Sequence, residues 1–219
     1  MNEQLKIAEM FTSIQGESSY AGRPCFFIRL AGCNLNCSYC DTEFAKSADD
    51  GDEFDIDSIV AKAESEDVPY VEITGGEPLL QKNVSKLCQK LFDAGFEVLM
   101  ETNGSLPISQ LPYDVIKIID CKCPSSGEAA AMDFANFADI SPEDEIKFVI
   151  ADRKDYEYAC SIIDKYELDN KVNNILLSPV QSETFTAAML SEWILADKLE
   201  VRLQLQLHKI IWDPEERGR

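Results

Sequence analysis

Three closely spaced cysteines are the residues of this chain with the clearest chemistry. Cys33, Cys37 and Cys40 form the pattern CxxxCxxC, and the chain has 8 cysteines in its 219 residues. Three thiolates in a short loop can hold three irons of a 4Fe–4S cluster, which normally takes four cysteines. No fourth cysteine has an evident place, so one iron would stay open to a ligand, as in a catalytic zinc site. The alternative is a structural zinc site completed by His208, the only histidine, which the missing paired spacing of a zinc finger disfavours.

Two polar motifs follow apolar runs further along the chain. The segment TGGEP at residues 74–78 has two glycines that let the backbone approach a ligand closely, and its Glu77 can accept a hydrogen bond from an ammonium group. The segment ETNG at residues 101–104 closes the next run and can aim polar groups into a pocket. Both segments are also compatible with ordinary turns, a strand-to-helix turn for the first and an Asn-Gly turn for the second.

Other candidate residues carry two interpretations each. Arg29 lies in an apolar run, where it is either half of a buried ion pair or a clamp for a ligand carboxylate. His208 ends the last apolar run and is either a satisfied core or surface histidine or a pocket residue. Lys122 can neutralise a carboxylate, and its neighbours Cys121 and Cys123 are either ligands of an extra cluster or small pocket or core residues. Two cysteines alone cannot hold a cubane, which favours the second interpretation.

Apolar, β-branched runs that alternate with helical patterns must position these residues. The alternation predicts a parallel α/β sheet, open or closed into a barrel, with its chemistry at the carboxyl ends of the strands. The acidic stretch 45–57 predicts an exposed loop that leads into a helix beginning near Asp55 or Asp57. The predicted strands are 25–30, 70–74, 96–102, 114–120, 145–150, 174–180 and 201–207, and the predicted helices cover 80–92, 156–166 and 185–195.

The composition excludes several classes of protein. With 20 basic and 40 acidic residues the net charge is −20, which disfavours general binding to nucleic acid or to anionic membranes. No apolar stretch approaches the ~20 residues of a membrane span, and the N-terminus has no apolar signal core. We therefore expect a cytoplasmic protein whose cysteines stay reduced. The polar residues 213–219 predict a frayed tail.

The cysteine motif with Tyr39 before its third cysteine, followed by TGGEP, resembles the radical S-adenosylmethionine superfamily. The resemblance implies a partial, open β/α barrel of mostly parallel strands. It implies that the fourth iron binds the amino and carboxylate groups of S-adenosylmethionine, whose reductive cleavage yields a 5′-deoxyadenosyl radical. It also implies an electron donor such as flavodoxin or ferredoxin.

The segments SIQGE, RLAGCNLNCSYCDT, TGGEP, ETNG and LQLHK together resemble the 7-carboxy-7-deazaguanine synthase family. The resemblance implies conversion of 6-carboxy-5,6,7,8-tetrahydropterin to 7-carboxy-7-deazaguanine with loss of ammonia, in queuosine or other 7-deazapurine biosynthesis. It implies catalytic use of S-adenosylmethionine, a requirement for Mg²⁺, and a homodimer. One domain would cover residues 1–219, with a substrate-binding segment 1–24, a core 25–212 and the tail 213–219. The alternatives are another small radical enzyme, such as a glycyl-radical activase, and a zinc-stabilised interaction module.

The resemblance assigns roles residue by residue. Cys33, Cys37 and Cys40 would hold the 4Fe–4S cluster, and Thr42 would bind Mg²⁺. No side chain is predicted to be catalytic, because the radical comes from S-adenosylmethionine. The predicted substrate-binding residues are Ile14, Gln15, Gly16, Glu17, Arg29, Thr74, Glu101, Asn103 and His208. The predicted S-adenosylmethionine-binding residues are Ser38, Tyr39, Asp41, Gly76, Glu77, Asp120, Cys121, Lys122, Ser178, Pro179, Val180 and Gln181.

Two features depart from the family pattern. Tyr39 stands where tryptophan is common, a change that should preserve stacking. The chain ends Arg217-Gly218-Arg219, so the role that some members give to a C-terminal proline carboxylate is not assigned here.

Overall fold

The fold is built on a single open β-sheet. The structure is a computed structural model that describes residues 3–180, 182, 184–213 and 217–218. Within these residues, 9 strands lie in the spatial order β3-β1-β2-β4-β5-β6-β7-β8-β9, and the two edges do not meet. The strands are β1 (Gln4–Ile14), β2 (Pro24–Leu30), β3 (Asp52–Asp55), β4 (Tyr70–Gly75), β5 (Glu97–Thr102), β6 (Ile116–Asp120), β7 (Glu145–Ile150), β8 (Asn174–Pro179) and β9 (Arg202–Leu203).

The sheet is parallel from β2 to β9, and only β1 pairs antiparallel, with β2 on one side and β3 on the other. The parallel strands are almost continuously buried, as expected of strands covered on both faces. The prediction of an open, mostly parallel α/β sheet is therefore confirmed, and the carboxyl ends of the seven strands β2 and β4 to β9 lie at one end of the sheet.

Helices bury one face of this sheet. Their capping follows the sequence: the Asp55 carboxylate accepts from the Ser58 amide at 2.9 Å and begins the first helix, as the acidic stretch predicts. Leu87 and Leu91 of the second helix and Ile59 of the first are fully buried in the same core as Ile73 of β4. The helices are α1 (Ile56–Ser65), α2 (Val84–Asp93), α3 (Arg153–Tyr166), α4 (Ala187–Asp197) and α5 (His208–Ile211).

The second helix is shorter than predicted. Leu80 lies in a separate 3₁₀ turn, Pro78–Leu80, and α2 begins only at Val84. Because it precedes the helix, Leu80 is 43% exposed. Within α2 the buried face consists of Val84, Leu87, Cys88 and Leu91, and Phe92 is 42% exposed. A 3₁₀ turn after a proline is a common way to start such a connection.

Two strands were not predicted. β1 precedes the SIQGE turn, where the Gln15 amide donates to the Arg23 carbonyl at 2.8 Å and the chain returns as β2. β3 lies inside the acidic stretch that predicts a loop, and it pairs with β1 through Leu5 and Phe54. β3 is an edge strand, and β1 lies between it and β2. Most residues of both strands are only half-buried or are exposed, so the apolar alternation is weak.

The last predicted strand is wrong beyond its first residues. β9 covers only Arg202–Leu203, and the Gln204 amide makes the final contact with β8, donating to the Leu177 carbonyl at 2.8 Å. The chain then leaves the sheet, so His208 begins the short helix α5 instead of ending a strand. Among the described residues, no helix is both long and apolar enough to cross a membrane.

Candidate active site

A cavity of about 880 Å³ opens at the carboxyl ends of the parallel strands, at the upper end of the size range of ligand pockets. All nine predicted substrate-binding residues line it, together with the three clustered cysteines and Thr42. The predicted S-adenosylmethionine-binding residues that line it are Tyr39, Asp41, Gly76, Asp120, Lys122, Ser178, Pro179 and Val180. Gln181 lies outside the described residues.

The cysteine loop follows β2 and is fixed by its backbone. The Gly32 amide donates to the Ala45 carbonyl at 2.8 Å, and the Cys33 amide donates to the Lys46 carbonyl at 2.9 Å. Cys33, Cys37 and Cys40 are half-buried free thiols. Among the described residues, no three His, Cys, Asp or Glu side chains converge on a single-ion site. A cubane takes one thiolate per iron, so three thiols that line one cavity suit it.

The glycines of TGGEP let β4 pack against the cysteine loop. A Cβ on Gly76 would lie 2.3 Å from the Gly32 carbonyl oxygen and 2.8 Å from the Cys33 Cβ. A Cβ on Gly75, whose φ is +153°, would lie 2.2 Å from the Leu30 carbonyl oxygen. This close approach of two backbones requires glycine at both positions.

Replacing Gly76 by alanine is expected to displace the cysteine loop. Overpacking of this kind costs about 1–3 kcal/mol of unfolding free energy. We also expect the Gly76→Ala variant to bind less iron per chain after anaerobic reconstitution. Gly95→Ala is the matched control, because Gly95 has a φ of +93° and open space around it. It should lose stability through backbone strain and keep its iron; equal iron loss in both variants would contradict the packing argument.

Glu77, which is predicted to bind S-adenosylmethionine, is not among the described residues that line the cavity. It is fully buried, and its carboxylate accepts hydrogen bonds from the Asn103 amide at 2.7 Å, the Thr102 hydroxyl at 2.9 Å and the Leu79 amide at 3.0 Å. Burial raises the pKa of Glu77, and these hydrogen bonds act in the opposite direction. Its side chain therefore joins the end of β4 to the end of β5.

Ser38 and Cys121, which are also predicted to bind S-adenosylmethionine, are likewise not among the described residues that line the cavity. The Ser38 hydroxyl donates to the Ser125 carbonyl at 2.6 Å and ties the cysteine loop to the segment after β6. Cys121 is fully buried in the hydrophobic core, because it faces away from the cavity beside Lys122. Its interpretation as a ligand of an extra cluster is not supported.

Orphaned polar atoms mark one side of the cavity. The Tyr39 hydroxyl and Oδ1 of Asp120 are buried without a hydrogen-bond partner in the described part of the chain. Oδ2 of Asp120 accepts from Lys122 at 2.8 Å. Buried polar atoms are almost always satisfied, so a polar ligand is expected between these groups. They fit the hydroxyl- and amine-rich S-adenosylmethionine.

Removing the Tyr39 hydroxyl tests this assignment. Tyr39→Phe is expected to leave thermal stability unchanged, because the lost group has no partner within the protein, and to raise the Kd for S-adenosylmethionine about 5- to 10-fold. Tyr156→Phe is the control, since its hydroxyl donates to Asp197 at 2.9 Å on the outer helices. That variant should lose stability and keep its Kd. An unchanged Kd for Tyr39→Phe, measured by anaerobic calorimetry, would contradict the assignment.

On the opposite side of the cavity, the SIQGE segment near the N-terminus contacts the LQLHK segment near the C-terminus. The Leu207 amide donates to the Gly16 carbonyl at 2.9 Å, and the Gln206 side chain donates to Glu17 at 2.9 Å. A Cβ on Gly16 would lie 2.2 Å from Nδ1 of His208, so glycine makes room for the imidazole. Burial lowers the pKa of His208, which is therefore neutral at pH 7. The SIQGE and LQLHK segments therefore form one side of the cavity together.

Arg29 lies next to this site in an ion pair that leaves most of its guanidinium free. Its Nε donates to Glu9 at 2.9 Å, and its Nη groups make no hydrogen bond within the described residues. The tail also reaches here: the Arg217 guanidinium lies 3.7 Å from the centre of the Phe44 ring and 3.6 Å from Glu9. Arg217 and Gly218 line the cavity, so the predicted frayed tail is wrong for these two residues.

Comparisons with known proteins agree with this geometry. The model of the Radical SAM superfamily matches residues 27–120. A 7-carboxy-7-deazaguanine synthase of Chlorobaculum tepidum is 46% identical over 217 residues, which cover 98% of this chain and 97% of that protein. Another, of Koribacter versatilis, is 42% identical over 227 residues, which cover 98% of this chain and 100% of the relative. The chain belongs to the 7-carboxy-7-deazaguanine synthase family.

The fold of this 7-carboxy-7-deazaguanine synthase family member also has a solved counterpart. The crystal structure of QueE from Escherichia coli superposes with a TM-score of 0.76 at 24% identity, covering 93% of this chain and 94% of that one. The family membership rules out the zinc-stabilised interaction module. The family's radical chemistry requires a 4Fe–4S cluster, S-adenosylmethionine and an electron donor. The three thiolates and the orphaned polar atoms fit the first two groups.

Several cavity residues escaped the sequence analysis of this synthase family member. Glu72 and Lys147 lie in the middle of β4 and β7, are 4% and 5% exposed and line the cavity. Glu9 is a third, from the unpredicted strand β1. The signal was present, since a charged residue inside an otherwise apolar parallel strand is costly unless it is paired.

Proposed function

We propose that this chain converts 6-carboxy-5,6,7,8-tetrahydropterin to 7-carboxy-7-deazaguanine and ammonia, in queuosine or other 7-deazapurine biosynthesis. The product is the one that the names of its relatives state. The observation that carries the proposal is the convergence of the cysteine loop, SIQGE and LQLHK on one cavity. The whole chain, residues 1–219, would work as one domain, since β1 and the tail contribute to the same cavity as the central strands.

The cysteine side of the cavity would generate the radical. Cys33, Cys37 and Cys40 would hold the cluster, and Tyr39 and Asp120 would bind S-adenosylmethionine through their orphaned oxygens. When bound, the cluster and S-adenosylmethionine would supply the radical chemistry needed at C6 of the pterin. The side chains themselves orient the two ligands and exclude water, as usual where a cofactor carries the hard chemistry.

The other side would hold the pterin. The free Nη groups of Arg29 would bind its carboxylate, because the guanidinium fork matches two carboxylate oxygens. Glu17, whose backbone amide donates to the Gln15 side chain at 2.9 Å, would accept from the ring nitrogens. The neutral imidazole of His208 would complete the contact. Asn103 would act on the cluster side, since its amide donates to Asn34 in the cysteine loop at 3.1 Å.

Magnesium would lie between the two sides. The Thr42 hydroxyl donates to Asp41 at 3.0 Å, and both residues line the cavity. A hydroxyl and a carboxylate are the oxygen ligands that Mg²⁺ prefers, with water and the substrate carboxylate filling its remaining positions. We expect Thr42→Ala to raise the Mg²⁺ concentration for half-maximal turnover, and Thr12→Ala, a change outside the cavity, to leave it unchanged. Equal Mg²⁺ dependence in both variants would contradict the site.

The remaining partners follow from the same proposal. A flavodoxin or ferredoxin would supply the electron, and the reducing cytoplasm would keep all eight cysteines free, as they are in the structure. The protein would act as a homodimer, which sedimentation would detect.

The test of the function is product analysis. Anaerobically reconstituted, reduced protein is incubated with Mg²⁺, S-adenosylmethionine and the pterin, and 7-carboxy-7-deazaguanine and ammonia are measured. We expect both in equal amounts, with little S-adenosylmethionine consumed. Steady 5′-deoxyadenosine release without the deazaguanine would overturn the substrate assignment, and release triggered only by a protein would favour an activase.

A further inference from the structure

A single buried lysine lies between the two sides of the cavity. Lys147 of β7 is 5% exposed and lines the cavity. Its ammonium is hydrogen-bonded to Glu101, lies 3.0 Å from Glu17 and lies 3.8 Å from Asp120. Three carboxylates from three separate segments of the described chain thus meet one cation.

Each of these three carboxylates contacts or lies in a different part of the site. Glu17 is bonded to Gln206 of the LQLHK segment, and Glu101 accepts from the Thr74 hydroxyl at 3.0 Å. Asp120 lies on the side of the cavity where its own Oδ1 and the Tyr39 hydroxyl have no hydrogen-bond partner among the described residues. Through Lys147, the groups proposed to hold the pterin are therefore linked mechanically to the group proposed to hold S-adenosylmethionine.

The ammonium stays charged in this environment. Burial alone would lower the pKa of Lys147, but Glu101, Glu17 and Asp120 raise it well above its ordinary value. A fourth carboxyl, Glu72, is bonded to Gln15 next to this group. Burial and the neighbouring carboxylates Glu101 and Glu17 raise the pKa of Glu72 well above its ordinary value.

We infer that Lys147 is a positioning residue that fixes the pterin relative to S-adenosylmethionine by holding Glu17, Glu101 and Asp120 at one point. The inference rests on the proposed function. A hydrogen transfer between two bound ligands needs their reacting atoms held near contact distance. When Lys147 is lost, the carboxylates repel one another and the two ligands no longer share a fixed spacing. The electron donor would then still drive cleavage of S-adenosylmethionine to methionine, but the adenosyl fragment would take its hydrogen atom from the buffer or the reductant instead of from the pterin and would be released as 5′-deoxyadenosine.

The chain offers a matched control. Lys117 of β6 is 4% exposed and forms a buried ion pair with Asp144 at 3.1 Å, and it does not line the cavity. Lys117→Met and Lys147→Met each remove a buried ammonium from its carboxylate partners. Both variants should lose stability for the same reason. Only the second should change the fate of S-adenosylmethionine.

The experiment compares the ratio of 7-carboxy-7-deazaguanine to 5′-deoxyadenosine in reconstituted wild-type enzyme, Lys147→Met, Lys147→Arg and Lys117→Met. We expect the ratio to fall at least about tenfold in Lys147→Met, as one lost charged contact predicts. It should recover in part in Lys147→Arg and stay at the wild-type value in Lys117→Met. If Lys147→Met does not fold, Lys147→Gln replaces it with the same expected order.

A wild-type ratio in the neutral Lys147 variant would overturn the inference, and so would an equal fall in Lys117→Met or an arginine variant no better than the neutral one. Failure of the proposed function looks different. In that case the wild-type enzyme itself makes no deazaguanine, before any variant is compared.

Discussion

Replacing Cys37 by alanine is expected to abolish product formation and to leave fewer irons bound after anaerobic reconstitution. With one of three thiolates missing, a cubane keeps only two protein ligands, and the open iron loses its defined position. Iron and sulfide analysis, the visible absorption of the cluster and turnover would measure the effect. The same loss is expected for Cys33→Ala and Cys40→Ala.

Cys160→Ala is the matched control for the cluster cysteines. Cys160 is also a half-buried free thiol, but it lies on α3 and does not line the cavity. It should retain iron, sulfide and turnover. A Cys37→Ala variant with a full complement of iron and normal turnover would show that the CxxxCxxC loop is not the cluster site.

Replacing Arg29 by methionine is expected to lower kcat/KM for the pterin about 10²- to 10³-fold, which corresponds to about 3–4 kcal/mol. The cause is the loss of the proposed bidentate contact with the substrate carboxylate. Most of the effect should appear in KM, because binding of the carboxylate persists in ground and transition states alike. Arg29→Lys keeps the positive charge but loses the guanidinium fork, so its kcat/KM should lie between those of the wild type and of Arg29→Met.

The ion pair between Arg29 and Glu9 complicates this prediction, because Arg29→Met leaves Glu9 without its 2.9 Å partner. The double variant Glu9→Gln/Arg29→Met removes that carboxylate, whose remaining ion pair is with Arg217 at 3.6 Å. If Arg29 binds the substrate, the double variant should regain stability and keep its high KM. Recovery of a normal KM in the double variant would show that Arg29 acts only by neutralising Glu9.

Contiguous motifs predicted most of this site, because each combines several chemically specific residues in a short stretch. The cysteine loop, SIQGE and LQLHK all reach the cavity, and the parallel strands that carry the central motifs were recognised from their apolar runs. The motifs did not show which of their side chains lie in the cavity and which lie in the interior of the protein. Glu77 belongs to TGGEP, yet its carboxylate satisfies backbone and hydroxyl donors in the interior.

Long-range pairing was not predictable in the same way. Lys147 and Glu17 are 130 positions apart, and only the folded sheet shows that they meet. Tertiary contacts likewise decide that the acidic residues Asp52–Asp55 form an edge strand and that LQLHK leaves the sheet to meet Gly16. Local propensity is a weak guide wherever such contacts are made.

The most direct test of the account follows one hydrogen atom. Reconstituted enzyme is given pterin with deuterium at C6, and S-adenosylmethionine is analysed by mass spectrometry alongside the product. The account predicts 7-carboxy-7-deazaguanine together with deuterium in S-adenosylmethionine. The deuterium removed from C6 would join the two hydrogens on the 5′ carbon of the adenosyl group, and any one of the three could then be returned. Formation of 5′-deoxyadenosine free of deuterium, with no deazaguanine, would contradict it.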